Sequence, residues 1–232
     1  RAIAERLATS AQTTAAVTLT TEADATELVR LRVQLKADGR QPVPSYTDLL
    51  IKLAAVALAE FPLLNARFEG ESIVQSPEVN IGIAVDTERG LLVPVLRDAG
   101  EKTLREVALE AATLIERTRA GRVTANELRG GTFTITNPGM YDIDAFTPII
   151  NLPECAILGV GRIVPKQVVQ AALDELPALA DTPESAAAQV VIRGMMFLSL
   201  TFDHRLVDGA PAARFLQRIK QFVEKPYLWL AG

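Results

Sequence analysis

The chain holds a single histidine, His204, inside the run TFDHRLVDG at residues 201–209. Asp203 and Arg205 flank it, and Asp208 follows one helical turn later, beside Gly209. An imidazole with an ordinary pKa of ~6.5 takes up a proton near neutrality and gives it back, so a histidine ringed by charges is a candidate general base. The run comes after a long apolar stretch and before an amphipathic one. That puts His204 at a corner where a strand ends and a helix begins. Asp208 has two readings here: it fixes Arg205 or the turn as part of the site, or it caps the following helix.

A second candidate lies in GTFTITNPGM. Thr136 and Asn137 stand at a strand end before a Pro-Gly turn, and a hydroxyl or an amide so placed can donate to an oxyanion. Other chemistry is set aside by residue type. Gly159-Val160-Gly161 opens like a dinucleotide loop, but Val164 stands where the third glycine belongs and no helix pattern follows, so a strand is expected. Neither a Gly-Lys-Ser/Thr phosphate loop nor a Gly-x-Ser-x-Gly elbow occurs. Cys155, the only cysteine, sits in an apolar run and reads as a buried, inert thiol. One His and one Cys make neither a disulfide nor a zinc site of those ligands, so no metal is expected.

The elements that would position these residues follow from periodicity. Helices are expected over residues 2–12, 25–39, 44–62, 103–121 and 209–225, with a short one at 124–128. Ser45 or Thr47 would cap the third and Thr103 the fourth, while Gly121 and Pro226 act as stops. Strands are expected over 15–24, in a hairpin about Gly70, in a pair joined at Asp86–Gly90, in GGTFTITNPGM, and as two long runs, 154–169 and 189–202. The acidic, Ala- and Pro-rich stretch at 171–188 is expected to be an exposed, mobile loop. No domain-scale linker interrupts the mixture of strands and long helices, which favours one α/β domain.

Composition narrows the partners. The 232 residues are 49% hydrophobic and 22% charged with a net charge of −4, and no Lys/Arg cluster stands out, which argues against nucleic acid. No run approaches the roughly 20 apolar residues of a membrane span, and no signal peptide is visible. The chain begins at Arg1, as a piece of something longer would. A reducing interior, bacterial cytoplasm or mitochondrial matrix, is the expected setting.

Taken together, the motifs carry a resemblance. MMFLSLTFDHRLVDGAPAARFL looks like the C-terminal signature of the dihydrolipoamide acyltransferases, the core components of 2-oxo acid dehydrogenase complexes. GTFTITNPGMYDIDAFTPIINLPECAILGVGRI resembles that family's other hallmark, and RAIAERLATS and NIGIAVDTERGLLVPVL are similar to further family segments. The His-x-x-x-Asp-Gly pattern alone is shared with chloramphenicol acetyltransferase and peptide-synthetase condensation domains.

The resemblance spans residues 1–232 as the catalytic domain, without the lipoyl and peripheral-subunit-binding domains that normally precede it. It implies a chloramphenicol-acetyltransferase-like two-layer α/β sandwich with a mixed sheet, forming trimers whose sites lie between subunits. His204 would take the proton of the coenzyme A thiol, Thr136 would steady the tetrahedral oxyanion, and Asp208 would be counted with the active site. The substrates would be coenzyme A and a lipoyl group, with acetyl favoured as the acyl group by GMYDIDAFTPIIN. Implied partners are lipoyl domains, the 2-oxo acid dehydrogenase and dihydrolipoamide dehydrogenase. Trimers would join into a hollow core through the C-terminal tail, where Leu228, Trp229 and Leu230 form an apolar knob, unless that tail packs on its own subunit. An O-acetyltransferase acting on a small alcohol and a non-catalytic scaffold are the alternatives.

Overall fold

The apolar faces of the strands fall into register in one mixed sheet. A computed structural model of the chain describes residues 2–170 and 189–230, so the acidic stretch at 171–188 lies outside the described residues. Among these, α1 (Ala2–Thr13), β1 (Ala16–Asp24), α2 (Thr26–Ala37) and α3 (Tyr46–Glu60) come first. The β2 (Ala66–Glu69) and β3 (Ser72–Gln75) hairpin, β4 (Ile81–Ile83), β5 (Val95–Leu96) and α4 (Leu104–Arg119) follow. The site-bearing half contains β6 (Phe133–Thr136), β7 (Ala156–Val160), β8 (Val164–Gln170), β9 (Gln189–Asp203) and α5 (Gly209–Glu224).

The strand order is β1-β9-β7-β6-β4-β5, with β8 running beside β9 beyond β7. β4, β6 and β7 are parallel neighbours; the other pairings in this sheet are antiparallel. Alternation sorts the two faces. Phe133, Ile135, Leu158, Leu198, Leu200 and Phe202 are buried on one of them, where α5 stacks Phe215 edge-on against Phe133 and Phe61. The opposite face carries hydroxyls: Thr18 meets Thr201 at 2.7 Å and Thr20 meets Ser199 at 3.2 Å. Over that face lies the segment after β6, with Phe146 and Pro148 against Gly159.

The helices start where their caps are. Ser45 accepts the Asp48 N–H while Asp48 accepts the Ser45 N–H, a reciprocal pair that starts α3; Thr103 and Glu106 do the same for α4. In α5, Ala212, Phe215, Leu216, Ile219, Phe222 and Val223 repeat at helical spacing and are buried.

Two expected elements differ. Residues 124–128 form a turn, although Thr124 and Glu127 make the hydrogen bonds of a helix start. The following Arg129-Gly130-Gly131 leaves no apolar stripe for a helix to bury, and Gly130 has φ +81°. The long strand expected over 154–169 is two strands, broken at Gly161. A Cβ on Gly161 would lie 1.7 Å from the Asp144 carbonyl oxygen, so the crossing segment occupies the space that a side chain there would need. At the C-terminus, Leu228 and Trp229 pack against the chain's own core, while Tyr227 stays exposed. Two of the three residues of the knob expected to face other trimers thus pack within their own subunit.

Candidate active site

His204 stands immediately after β9, where the strand turns into α5. Its backbone N–H donates to Ala15 at 3.0 Å, which ties the corner to the start of β1. The imidazole lies against the Phe202 ring, with centroids 5.7 Å apart, and its side chain is 45% exposed. It is neither walled off nor free: one flank rests on an aromatic ring and the other faces solvent.

The charges around it divide their work differently from the sequence expectation. Asp208 is 86% exposed, and its Oδ1 is 3.9 Å from His204 Nδ1, beyond hydrogen-bond reach. It occupies the N-cap position of α5 without a side-chain cap bond. Asp208 does not hold Arg205 either; Asp203 does. The Asp203 carboxylate is buried and receives the Arg205 Nε at 2.9 Å together with its Nη2, the Arg205 N–H at 3.1 Å and the Ala15 N–H at 3.2 Å. Burial alone would raise the Asp203 pKa, but the Arg205 guanidinium and these two backbone donors together hold it below the usual carboxylate range. Arg205 also covers the Phe68 ring at 5.1 Å. The residue that braces the histidine corner is therefore Asp203, missed from sequence. Its two-residue spacing from Arg205, at the end of a strand where alternate residues share a face, was the available signal.

Thr136 ends β6 and lines a cavity of about 320 Å³ with Ser45, Thr47, Arg119, Met140 and Tyr141. Among the described residues its hydroxyl makes no hydrogen bond, whereas the neighbouring Asn137 is engaged: Nδ2 donates to Thr47 at 3.1 Å and Oδ1 accepts the Gly139 N–H at 3.0 Å. Of the two candidate donors, the hydroxyl is the one left available.

Within one chain, Thr136 and His204 do not meet. Thr136 is level with Gly159 on β7, which is level with Ser199 on β9, and His204 lies five residues beyond Ser199. With about 4.8 Å between strands and about 3.3 Å per residue, the two backbone positions are about 19 Å apart, at opposite ends of the sheet. Cys155 is buried, and its Sγ donates to the Leu63 and Leu64 carbonyls at 3.3 Å each; burial pushes its pKa up to about 12, which keeps it a thiol. Gly159 lies within β7, as expected, whereas Gly161 falls in the break after it, where the Asp144 carbonyl crosses. Among the described residues, no group of three or more His, Cys, Asp or Glu is arranged to hold a metal ion, and no helix is long and apolar enough to cross a membrane.

Comparison with known proteins places this geometry. A chain from Bacillus subtilis, the dihydrolipoyllysine-residue acetyltransferase component of an acetoin cleaving system, is 38% identical over 229 residues, covering 97% of this chain and 54% of that one. The succinyltransferase component of the Bartonella vinsonii 2-oxoglutarate dehydrogenase complex is 37% identical over 227 residues, covering 97% and 51%. The chain thus spans about half the length of these relatives. Among solved structures, dihydrolipoamide acetyltransferase of Azotobacter vinelandii superposes with a TM-score of 0.87 at 36% identity, over 99% of this chain and 89% of that one. Chloramphenicol acetyltransferase shares the fold, with a TM-score of 0.54 at 13% identity over 94% of each chain. The family model for 2-oxoacid dehydrogenases acyltransferase (catalytic domain) matches residues 1–231, and this chain belongs to that family.

Proposed function

We propose that residues 1–232 form an acyltransferase catalytic domain that moves an acyl group between a dihydrolipoyl thiol and coenzyme A, with the site shared by two subunits. The observation that carries the reading is the placement of a solvent-facing imidazole and an unpartnered hydroxyl at opposite ends of one sheet. Neither is a complete site, but a second copy docked end to end would bring one subunit's His204 to its neighbour's Thr136. The surface fits such docking: Met140 and Tyr141, which line the Thr136 cavity, are 70% and 60% exposed, and large apolar side chains of this kind are commonly covered in an assembly. The closed ring is a trimer in this reading.

The chemistry follows from the groups present. His204 takes the proton from the coenzyme A thiol, and the thiolate attacks the carbonyl carbon of the acyl-lipoyl thioester. The oxygen that gains negative charge is met by the Thr136 hydroxyl from the neighbouring subunit. The tetrahedral species collapses with loss of the dihydrolipoyl thiolate, which recovers a proton from the His204 imidazolium. Thioester is exchanged for thioester, so the reaction runs in both directions. The Azotobacter structure was determined to examine a serine, a histidine and an asparagine in catalysis, the last two four residues apart. His204 and Asp208 have that spacing, and Thr136 carries the hydroxyl.

The acyl group is acetyl in this proposal; the relatives include both acetyl and succinyl transferases. Lipoyl domains and the dehydrogenase components are the proposed partners, larger assembly of trimers is proposed by analogy with the cubic pyruvate dehydrogenase core, and the setting is bacterial cytoplasm or mitochondrial matrix. Initial rates with dihydrolipoamide and acetyl-, succinyl- or isobutyryl-coenzyme A test the assignment. Acetyl-coenzyme A should give the highest kcat/KM. Faster transfer from another donor overturns the acetyl assignment, and acylation of simple alcohols in place of dihydrolipoamide overturns thiol specificity.

A further inference from the structure

A buried carboxyl group lies between the two halves of the site. Glu154 is 3% exposed and sits just before β7. Its Oε2 accepts the Thr134 hydroxyl at 2.6 Å and its Oε1 accepts the Asn151 amide at 2.9 Å; the same amide reaches Thr134 Oγ1 at 3.3 Å. Room for this cluster is reserved by two glycines. A Cβ on Gly131 would come within 2.6 Å of Glu154 Oε1, and one on Gly82 within 2.6 Å of Thr134 Oγ1.

Both ends of the cluster lead to the site. Thr134 is two residues from Thr136 on the same strand and points to the same face. On the other side, Cys155 follows Glu154 directly and its carbonyl accepts the Asp203 N–H at 2.9 Å. Asp203 is the residue that holds Arg205 and Ala15 around His204.

We propose that Glu154 is a positioning residue that holds the Thr136 strand and the His204 corner in place in its protonated, uncharged form, so that its ionisation slows turnover. The proposal rests on the acyl-transfer reading above. Burial is the dominant influence on this group and pushes its pKa up to about 8, against the hydrogen bonds from Thr134 and Asn151 and the attraction of Arg6. Among the described residues the charged or titratable groups that face it are Arg6 of α1, exposed and bonded to the Leu152 carbonyl; the Cys155 thiol; and, through that thiol's surroundings, Asp203 of β9. None is a buried cation able to neutralise the carboxylate. The 2.6 Å contact with Thr134 can carry the proton from either oxygen. Loss of the proton leaves a charge buried away from water, which favours water entry and loosening of that seat.

Glu154→Gln tests this, because glutamine keeps an acceptor for Asn151 and offers a donor to Thr134 without a titratable proton. For wild type, kcat in the coenzyme A–dihydrolipoamide exchange should fall severalfold through a midpoint near pH 8, with the KM values nearly unchanged. The variant should match wild type at neutral pH and lack the fall. Ionisation of the substrate thiols affects both proteins equally and cancels in the comparison. An alkaline fall of the same size in the variant overturns the proposal.

A second measurement does not depend on catalysis. Between the unfolded value near 4.5 and about 8, the folded chain binds a proton that the unfolded chain has lost, so stability contributed at Glu154 declines as pH rises through that window and levels off above it. The Tm of wild type should therefore drop more steeply than that of Glu154→Gln from pH 5 to 8. Parallel curves overturn the protonated state even if acyl transfer is sound. The infrared carbonyl stretch of a protonated carboxyl in wild type at pH 7, absent from the variant, checks the same point without requiring stability data; its absence from wild type also overturns the proposal.

Discussion

In the proposed reaction the imidazole of His204 and the hydroxyl of Thr136 each have a separable contribution. Removing a general base costs about 10²–10⁴ in rate, so His204→Ala should lower kcat by that factor while circular dichroism and Tm stay near wild type, because the side chain is half exposed and its anchoring bond is made by the backbone. Thr136→Ala should lower kcat by about 10²–10³, the usual effect of one oxyanion donor. Thr136→Ser, which retains the hydroxyl, should recover most of the loss. Stopped-assay turnover of the three variants decides this, and a Thr136→Ala enzyme with unchanged kcat would reduce Thr136 to a strand-end residue. Asp208 is a weaker contributor in this account, since its carboxylate is solvated and outside hydrogen-bond range of the ring. The structure instead gives Asp203 the bracing role, through four N–H groups converging on one buried carboxylate.

At the scale of elements, the segment crossing the hydroxyl face of the sheet is the least tolerant part of the site's support. Gly161 follows β7 where the Asp144 carbonyl passes, and an added Cβ would meet backbone at 1.7 Å, not a side chain that can rotate away. Gly161→Ala should destabilise by about 1–3 kcal/mol, the range for forced overpacking, and should disturb the neighbouring cavity that Gly161 and Arg162 line with Asn137 and Met140. Thermal unfolding together with kcat measures both effects; a Tm equal to wild type would mean that the crossing segment yields easily. Gly161 also shows where sequence reading stopped. The helices α3, α4 and α5 were legible because caps such as Ser45–Asp48 and apolar repeats such as Phe215–Ile219–Phe222 are local signals. The break between β7 and β8 was not, because the run ECAILGVGRIVPKQVV is largely apolar with no strong turn signal and the cause lies in a carbonyl 17 residues upstream. The turn at 124–128 misled in the opposite sense: its Thr124–Glu127 bonds are those of a helix start, but no buried stripe follows. In the site itself, His204 and Thr136 stood out by residue type and motif. Asp203 and Glu154 did not, since their roles arise from burial and from partners distant in sequence.

At the scale of the whole molecule, the sheet separates Thr136 and His204 by about 19 Å on ladder spacing, so the proposed activity depends on how copies meet. The antiparallel pairing of β9 with β7 and the parallel pairing of β7 with β6 fix this separation; no side-chain motion closes it. The direct test is subunit complementation. His204→Ala and Thr136→Ala proteins, each nearly inactive alone, are unfolded together, refolded as an equal mixture, and assayed for thioester exchange. In a cyclic assembly with shared sites, random mixing restores an intact histidine–threonine pair at about a quarter of the interfaces, so the mixture should regain about a quarter of wild-type activity. Recovery of no more than the average of the two separate variants, in a mixture shown by mass spectrometry to contain hybrid oligomers, would contradict a site built from two subunits.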